Sequence, residues 1–280
     1  MMKLSDRFLE SDLPYFEPDG KVGLLATIDE KGLPHITMIT AMQAKDPEHL
    51  IFGQFCEGKG KENVQVRNKA GFLIMTLNKE LWRGKALWTH SSATGPEADL
   101  FNQKPMWRYN SYFSMHTVHY MDLIGTTRKE KLPMGKIVSG VVKSRLYRAR
   151  QPESEVMNPW TQSLISKVGA LKFLAYIDSD GFPILIPVLS ARTISTEKVL
   201  IPLAEYADDI VNVPEGPAAL YTMDLTMETV LVRGNFTGVK RHGLIKAAEL
   251  AVNHVYNSMP PGARTIYPSK KLEPVTEFQA

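Results

Sequence analysis

Gly58-Lys59-Gly60-Lys61-Glu62-Asn63 is the segment of this chain best equipped to hold an anion. A dianionic phosphate is bound by cations and by exposed backbone N–H groups, and the start of a helix presents such groups. Two lysines around a glycine, opening a predicted short helix within 58–68, supply both. The same string also suits an exposed polar loop. A second basic stretch spans 127–150, where Arg128, Lys129, Lys131, Lys136, Lys143, Arg145, Arg148 and Arg150 face only Glu130. It fits a solvated strand face and linker, or else an anionic substrate site or an RNA contact. His116 and His119 form H-x-x-H, a spacing that puts both rings on one face only in a helix. Their surroundings read as strand and no third ligand is near, so no metal is expected. Cys56 is the one cysteine and has no partner for thiol redox chemistry. No nucleophile elbow with Ser-His-Asp order and no G-x-G-x-x-G after a strand is present. No catalytic residue is assigned.

The elements that must position these groups are written twice. Residues 24–53 read LLATIDEKGLPHITMITAMQAKDPEHLIFG, and 173–202 read FLAYIDSDGFPILIPVLSARTISTEKVLIP. At a constant offset of 149, Ala26, Ile28, Asp29, Gly32 and Pro34 recur as Ala175, Ile177, Asp178, Gly181 and Pro183. Five identities in the thirteen positions 26–38 exceed the roughly one that average residue usage would produce. FLIMTL (72–77) answers LYTMDL (220–225), and Arg83-Gly84 answers Arg233-Gly234. So long a period describes a duplicated domain and not a solenoid. Each copy opens as apolar run, Asp/Gly turn, apolar run, which is a hairpin signal. Further short runs predict antiparallel strands at 82–91, 118–127 and 135–149, with Gly84 at a bulge or close approach. Helices are predicted over 153–168 and 244–256. Two domains follow, 1–150 and 151–280, mainly β with a few helices.

Composition sets the outer limits. The 280 residues suit two domains, and 44% hydrophobic with 22% charged residues describes an ordinary globular chain. The N-terminal residues lack the apolar run of a signal peptide, and no stretch is long and apolar enough for a membrane span. With a lone cysteine, a cytoplasmic location is expected. A net charge of +3 does not by itself call for nucleic acid.

Copy one resembles the flavin-binding split-barrel families, the pyridoxamine-5′-phosphate-oxidase-like group and its flavoredoxin-like relatives. LLATIDEKGLPHITMIT, LIFGQFCEGKGKEN, AGFLIMTL and WRGKA carry the likeness in order and spacing. The resemblance covers about 21–150, and copy two only as a decayed version; it implies tandem split β-barrels and an FMN cofactor. It places Thr37, Met38, Ile39 and Thr40 along the isoalloxazine ring, with Gln54, Phe55, Lys59 and Lys61 at the ribityl chain and phosphate. Lys79 and Trp82 fall near the ring, and His35 at the surface or flavin edge. Where relatives commonly carry Ser beside the lysine, this chain has Gly60, which leaves one hydroxyl donor unaccounted for.

The copies differ where the cofactor would sit. Thr37 becomes Ile186, Thr40 becomes Leu189, and Met38 becomes Pro187, which has no N–H to donate. The lysine loop becomes Tyr206-Ala207-Asp208-Asp209, whose carboxylates repel phosphate. One flavin per chain is therefore expected, in copy one. Single-copy relatives form homodimers with flavin at the interface. Here the chain is expected either to homodimerise or to use copy two as an internal partner. The 97–120 insertion, with Phe101, Trp107, Tyr109, Tyr112 and Phe113, suits core, dimer contact or a lid. Trp107, Tyr109, His116, His119, Arg128 and Lys129 are the candidate substrate contacts. The expected function is oxidoreduction of a small molecule, or with a redox partner, through flavin N5. The rival is a non-catalytic module that binds haem or a protein. Pyridoxamine phosphate oxidation is not expected, because no Arg-x-His segment stands near the C-terminus; Arg264 is followed by Thr265-Ile266.

Overall fold

The computed structural model describes residues 3–105, 108, 114–147, 155–242, 245–258 and 264–269. A 3-10 helix (Glu10–Phe16) precedes β1 (Lys21–Ile28), β2 (Pro34–Met38), β3 (Met42–Asp46) and β4 (His49–Gln54). Next come α1 (Lys59–Val66), β5 (Lys69–Thr76), β6 (Glu80–Ser92), α2 (Pro96–Gln103), β7 (Thr117–Thr126) and the two-residue β8 (Glu130–Lys131). Two helices, α3 (Met134–Arg145) and α4 (Pro159–Ser166), lead to β9 (Leu171–Ile177), β10 (Pro183–Pro187), β11 (Arg192–Thr193) and β12 (Lys198–Pro202). The chain continues through α5 (Ala207–Val211), β13 (Gly216–Met223), β14 (Thr229–His242), β15 (Ile245–Asn257) and β16 (Arg264–Tyr267).

The strands form two antiparallel sheets, ordered β2-β1-β5-β6-β7-β4-β3 and β10-β9-β13-β14-β15-β12-β11, with β8 on β6 and β16 on β15. The two orders correspond strand for strand, so the repeat in sequence is a repeat in topology. In each first hairpin a glycine at positive φ closes the turn: Gly32 (78°) and Gly181 (81°) donate to the Asp29 and Asp178 carbonyls. Each first hairpin ladder runs one residue further, with Ile39 N–H bonded to Gly23 O and Val188 N–H to Lys172 O. A side chain at 23 would collide with the Ile39 carbonyl, which is why glycine stands there. The result is a pair of split β-barrels.

Successive residues of a strand face opposite sides, and both sides of β1 and β5 are buried. Leu25, Phe72 and Ile74 point into barrel one beside Phe8 and Phe16 from the N-terminal segment. Leu24, Ala26, Leu73 and Met75 point the other way, onto Phe173, Ala175, Leu185, Ala219 and Tyr221 of barrel two. This double burial accounts for the unbroken apolar runs GLLATI and GFLIMT. Polar contacts ring the apolar face. Arg83 donates to Leu185 O (3.2 Å) and to Asp209 (2.6 Å), while Glu130 holds its Nε at 3.1 Å. Lys85 meets Asp178 (2.8 Å) and Asp180 (2.6 Å), and Arg233 returns from barrel two to Asp29 (2.5 Å). At Gly71 a Cβ would strike the Pro183 carbonyl, so the backbones of β5 and β10 touch.

Three expectations change. Residues 135–149 were read as strand from the β-branched run IVSGVV, but 134–145 are helix α3, which buries Ile137, Gly140 and Ser144 at helical spacing. Residues 244–256, with three alanines, suggest a helix; β15 is instead a long strand between β14 and β12, because tertiary pairing overrides local propensity. The linking helix is shorter than 153–168, starting at Pro159 where Asn158 caps it through Thr161 N–H (2.8 Å). No described helix is long and apolar enough to cross a membrane.

Candidate functional site

The Gly58–Asn63 segment follows the end of β4 at Gln54 and opens α1. No side chain caps the first turn of α1, so its leading N–H groups stay free of side-chain acceptors. Gly60 lies against Thr37 of β2, and a Cβ there would collide with Thr37 Oγ1. Glycine at 60 thus seats the helix on β2 and brings the Thr37 hydroxyl to its first turn.

The two lysines separate in role. Lys59 is exposed and pairs with Glu62 at 2.6 Å. Lys61 is 6% exposed. Its ammonium bonds the Cys56 carbonyl, lies 3.6 Å from Cys56 Sγ and 5.9 Å from the Phe55 ring centroid. Among the described residues no carboxylate pairs with it. Buried charges are ordinarily paired, and Lys61 has the Cys56 carbonyl but no carboxylate for a partner among the described residues.

Gln54, the last residue of β4, is 5% exposed. Its Oε1 is 2.6 Å from His119 Nε2, and His119 Nδ1 accepts the Trp88 indole N–H at 3.1 Å. The His119 ring is fully buried and stacks on Phe52 at 4.5 Å. Burial first, then Lys61 and His116, lower its pKa to about 4. His116 is exposed and holds Gln54 O through its backbone N–H (3.0 Å). The two histidines therefore occupy different environments, and among the described residues no group of His, Cys, Asp and Glu could hold a metal.

The other predicted residues divide. Thr37, Met38 and Thr40 are half-buried on and just after edge strand β2. Ile39 turns into the barrel-one core and Met38 toward the inter-barrel core. Phe55 packs with α2, whose Phe101 is buried with Ala41, Ile51, Met115 and Val118. Trp82 is wholly inside barrel one, bonded to Asp12 (2.9 Å) and edge-on to Phe16. It is not carried into the site. Lys79 occupies a left-handed turn (φ 64°) after β5, at the end away from α1. Eight residues of strand place it roughly 26 Å from α1. Arg128 and Lys129 follow the far end of β7 from His116 and His119; Lys129 rests on the Tyr15 ring at 4.4 Å. Trp107 and Tyr109 lie outside the described residues.

Barrel two closes one side. Tyr256 of β15 packs edge-on to His35 at 5.5 Å, on the β2 face shared with Thr37. His35 is buried and not a surface group: burial first, then Arg233, lowers its pKa to about 3. Burial and Arg233 bring His254 to about 4. Both rings are neutral in the fold, whereas an unfolded chain takes up protons below about 6.5. Their contribution is complete above that value and is lost as pH falls toward the folded values. Asp29, lowered although burial opposes it, by bonds from Leu33, Arg233 and Lys31, acts in the same sense. The thermal midpoint is expected to fall between pH 7 and 5, His35 alone costing about 2 kcal/mol at pH 5. In His35→Gln the slope should flatten; a midpoint unchanged over this range in the parent chain refutes the assignment.

The equivalent place in barrel two is filled. Helix α3 lies over it, and a Cβ at Gly140 would stand 2.7 Å from Ser190 and 2.8 Å from Ala204. The buried Glu205 carboxylate takes bonds from Ser190 N (2.7 Å) and Oγ (2.8 Å). Asp209 turns to Arg83, and at the 149 offset the residue matching Lys61 is Ile210, fully buried. Counted from the helix starts, Asp209 is the third residue of α5 as Lys61 is of α1, so a carboxylate stands at that helical position.

No protein-family model and no curated protein matches the chain. Solved structures do. A candidate pyridoxamine 5′-phosphate oxidase of Lactobacillus delbrueckii is 20% identical over 45% of this chain and 98% of its own, with a TM-score of 0.36. HupZ of Group A Streptococcus is 14% identical over 42% and 91%, TM-score 0.36. An FMN-binding protein of Syntrophomonas wolfei is 15% identical over 39% and 77%, TM-score 0.33. Each takes up less than half of this chain, and the fold is defined by the strand order given above.

Proposed function

We propose that barrel one binds one FMN per chain and that the protein is a flavin-dependent oxidoreductase acting on a small molecule. The buried, carboxylate-free ammonium of Lys61 carries this reading. The phosphate would be held by Lys61, the first turn of α1 and the Thr37 hydroxyl, with edge strand β2 along the ring. These residues fit the group: Lys61 supplies a cation from the first turn of α1, whose N–H donors are uncapped, and the Thr37 hydroxyl lies against Gly60 in the same turn. Bound flavin supplies hydride or electron transfer, and the protein chiefly supplies position and electrostatics. Barrel two acts as an internal partner, through Tyr256 and His35, while its own groove is occupied by α3.

Purified protein is expected to show flavin bands near roughly 370 and 450 nm, or to gain them on adding FMN, saturating at one flavin per chain. A Soret band in place of these would favour the haem-binding alternative. A protein that takes up no FMN, or takes up two per chain, overturns the proposal.

A further inference from the structure

Trp88, His119 and Gln54 form a line of donors and acceptors whose polarity is dictated by its first member. An indole nitrogen can only donate. Trp88 Nε1 lies 3.1 Å from His119 Nδ1, so Nδ1 must accept and the neutral ring must carry its proton on Nε2. Nε2–H then donates across 2.6 Å to Gln54, and only the amide oxygen of Gln54 can receive it. The Gln54 NH2 group is thereby turned the other way. It has no partner among the described residues, and it is not sealed from solvent although the residue is 5% exposed. A side chain so deeply buried, clamped at one end and offering free donors at the other, is set for an acceptor. The Lys61 ammonium, itself lacking a carboxylate, is near enough to His119 to lower its pKa.

We propose that Trp88 and His119 are positioning residues that fix the Gln54 amide so that its NH2 donates to a phosphate oxygen of the ligand, next to Lys61. This rests on the FMN reading above. The low pKa of His119 keeps the ring neutral and the required tautomer available around neutral pH. His119 was a candidate substrate contact in the sequence; here it lies behind Gln54, stacked on Phe52, and touches the ligand only through that amide. A ring protonated on both nitrogens would face the Trp88 N–H with another N–H, so the relay works in one protonation state.

The test is a fluorescence titration of the full chain with FMN and, separately, with riboflavin, which lacks the phosphate. Gln54→Ala and His119→Leu are each expected to weaken FMN binding about tenfold, the double variant no further, since both remove one hydrogen bond. His119→Gln, which restores an N–H near the Nε2 position, should recover affinity to within about threefold of the parent. Trp88→Phe keeps an aromatic ring in place but releases the tautomer and should cost several-fold, which keeps the test decisive if His119→Leu fails to fold. Riboflavin affinity should be the same in all variants. Additive losses in the double variant, or full FMN affinity in both His119→Leu and Trp88→Phe, overturn the relay. Equal losses with riboflavin would put Gln54 on the ribityl chain and overturn the phosphate assignment. A parent chain that binds no FMN defeats the function itself, a result distinct from these.

Discussion

Lys61→Met is expected to weaken FMN binding by about thirty- to a hundredfold while leaving the ligand-free protein as stable as before, or more so. The two halves of this result have one cause. A charge-assisted bond to phosphate contributes about 2–3 kcal/mol, which is that factor in affinity. In the free protein the Lys61 residue is 6% exposed and its ammonium has no carboxylate against it among the described residues, and an uncompensated buried charge opposes folding. Methionine keeps the aliphatic bulk and removes that penalty. Lys59→Ala serves as the contrast: its side chain is 60% exposed and already paired with Glu62, so its loss should change affinity by less than about fivefold. Titration with FMN and thermal melting of the ligand-free variants read both halves. Equal losses at 59 and 61, or a Lys61→Met chain that melts well below its parent without ligand, would show that Lys61 is a structural cation.

Arg83→Met is expected to cost about 3–5 kcal/mol of folding free energy, the range for removing one partner of a buried ionic group. Arg83 is 4% exposed and joins the barrels through Leu185 O, Asp209 and Glu130 while its guanidinium lies 4.6 Å from the Tyr206 ring centroid. Without it, two carboxylates and a carbonyl are left at a closed interface with no donor between them. Urea unfolding measures the loss. Because Leu24, Leu73 and Met75 share one core with Phe173, Leu185 and Tyr221, the two barrels should unfold together in the parent chain. A loss below about 1 kcal/mol, as at an exposed pair, would show that the interface does not depend on this group.

Much of the fold was legible because it rests on local chemistry. Asp29 with Gly32 and Asp178 with Gly181 mark the same turn twice, and a glycine at positive φ is needed at each. The runs around Leu24–Leu25 and Phe72–Leu73 showed that strands were present; their lack of alternation has its reason only in the second barrel behind them. Local propensity failed where a partner element decided the outcome. The IVSGVV run became helix α3 because barrel two accepts its Ile137, Gly140 and Ser144 stripe. The Ala-Glu-Leu run became β15 because β14 and β12 lie on either side of it.

The site divides along the same line. Gly58 to Asn63 could be recognised as an anion-binding segment because cations, glycine and a helix start are adjacent in the chain. Resemblance places Lys79 and Trp82 near the ring, and charge suggests Arg128 and Lys129 as substrate contacts; a strand carries its far end tens of ångströms away and alternate residues into the core. Gln54 and His119, 65 residues apart, meet only because β4 pairs with β7. What the sequence by itself determined was the duplication, the hairpins and the segment able to hold a phosphate, since each depends on neighbours along the chain. Which lysine is buried without a counter-ion, and which barrel has its groove filled by α3, only the tertiary structure decided. Burial and charge compensation depend on groups that folding brings together from distant parts of the chain.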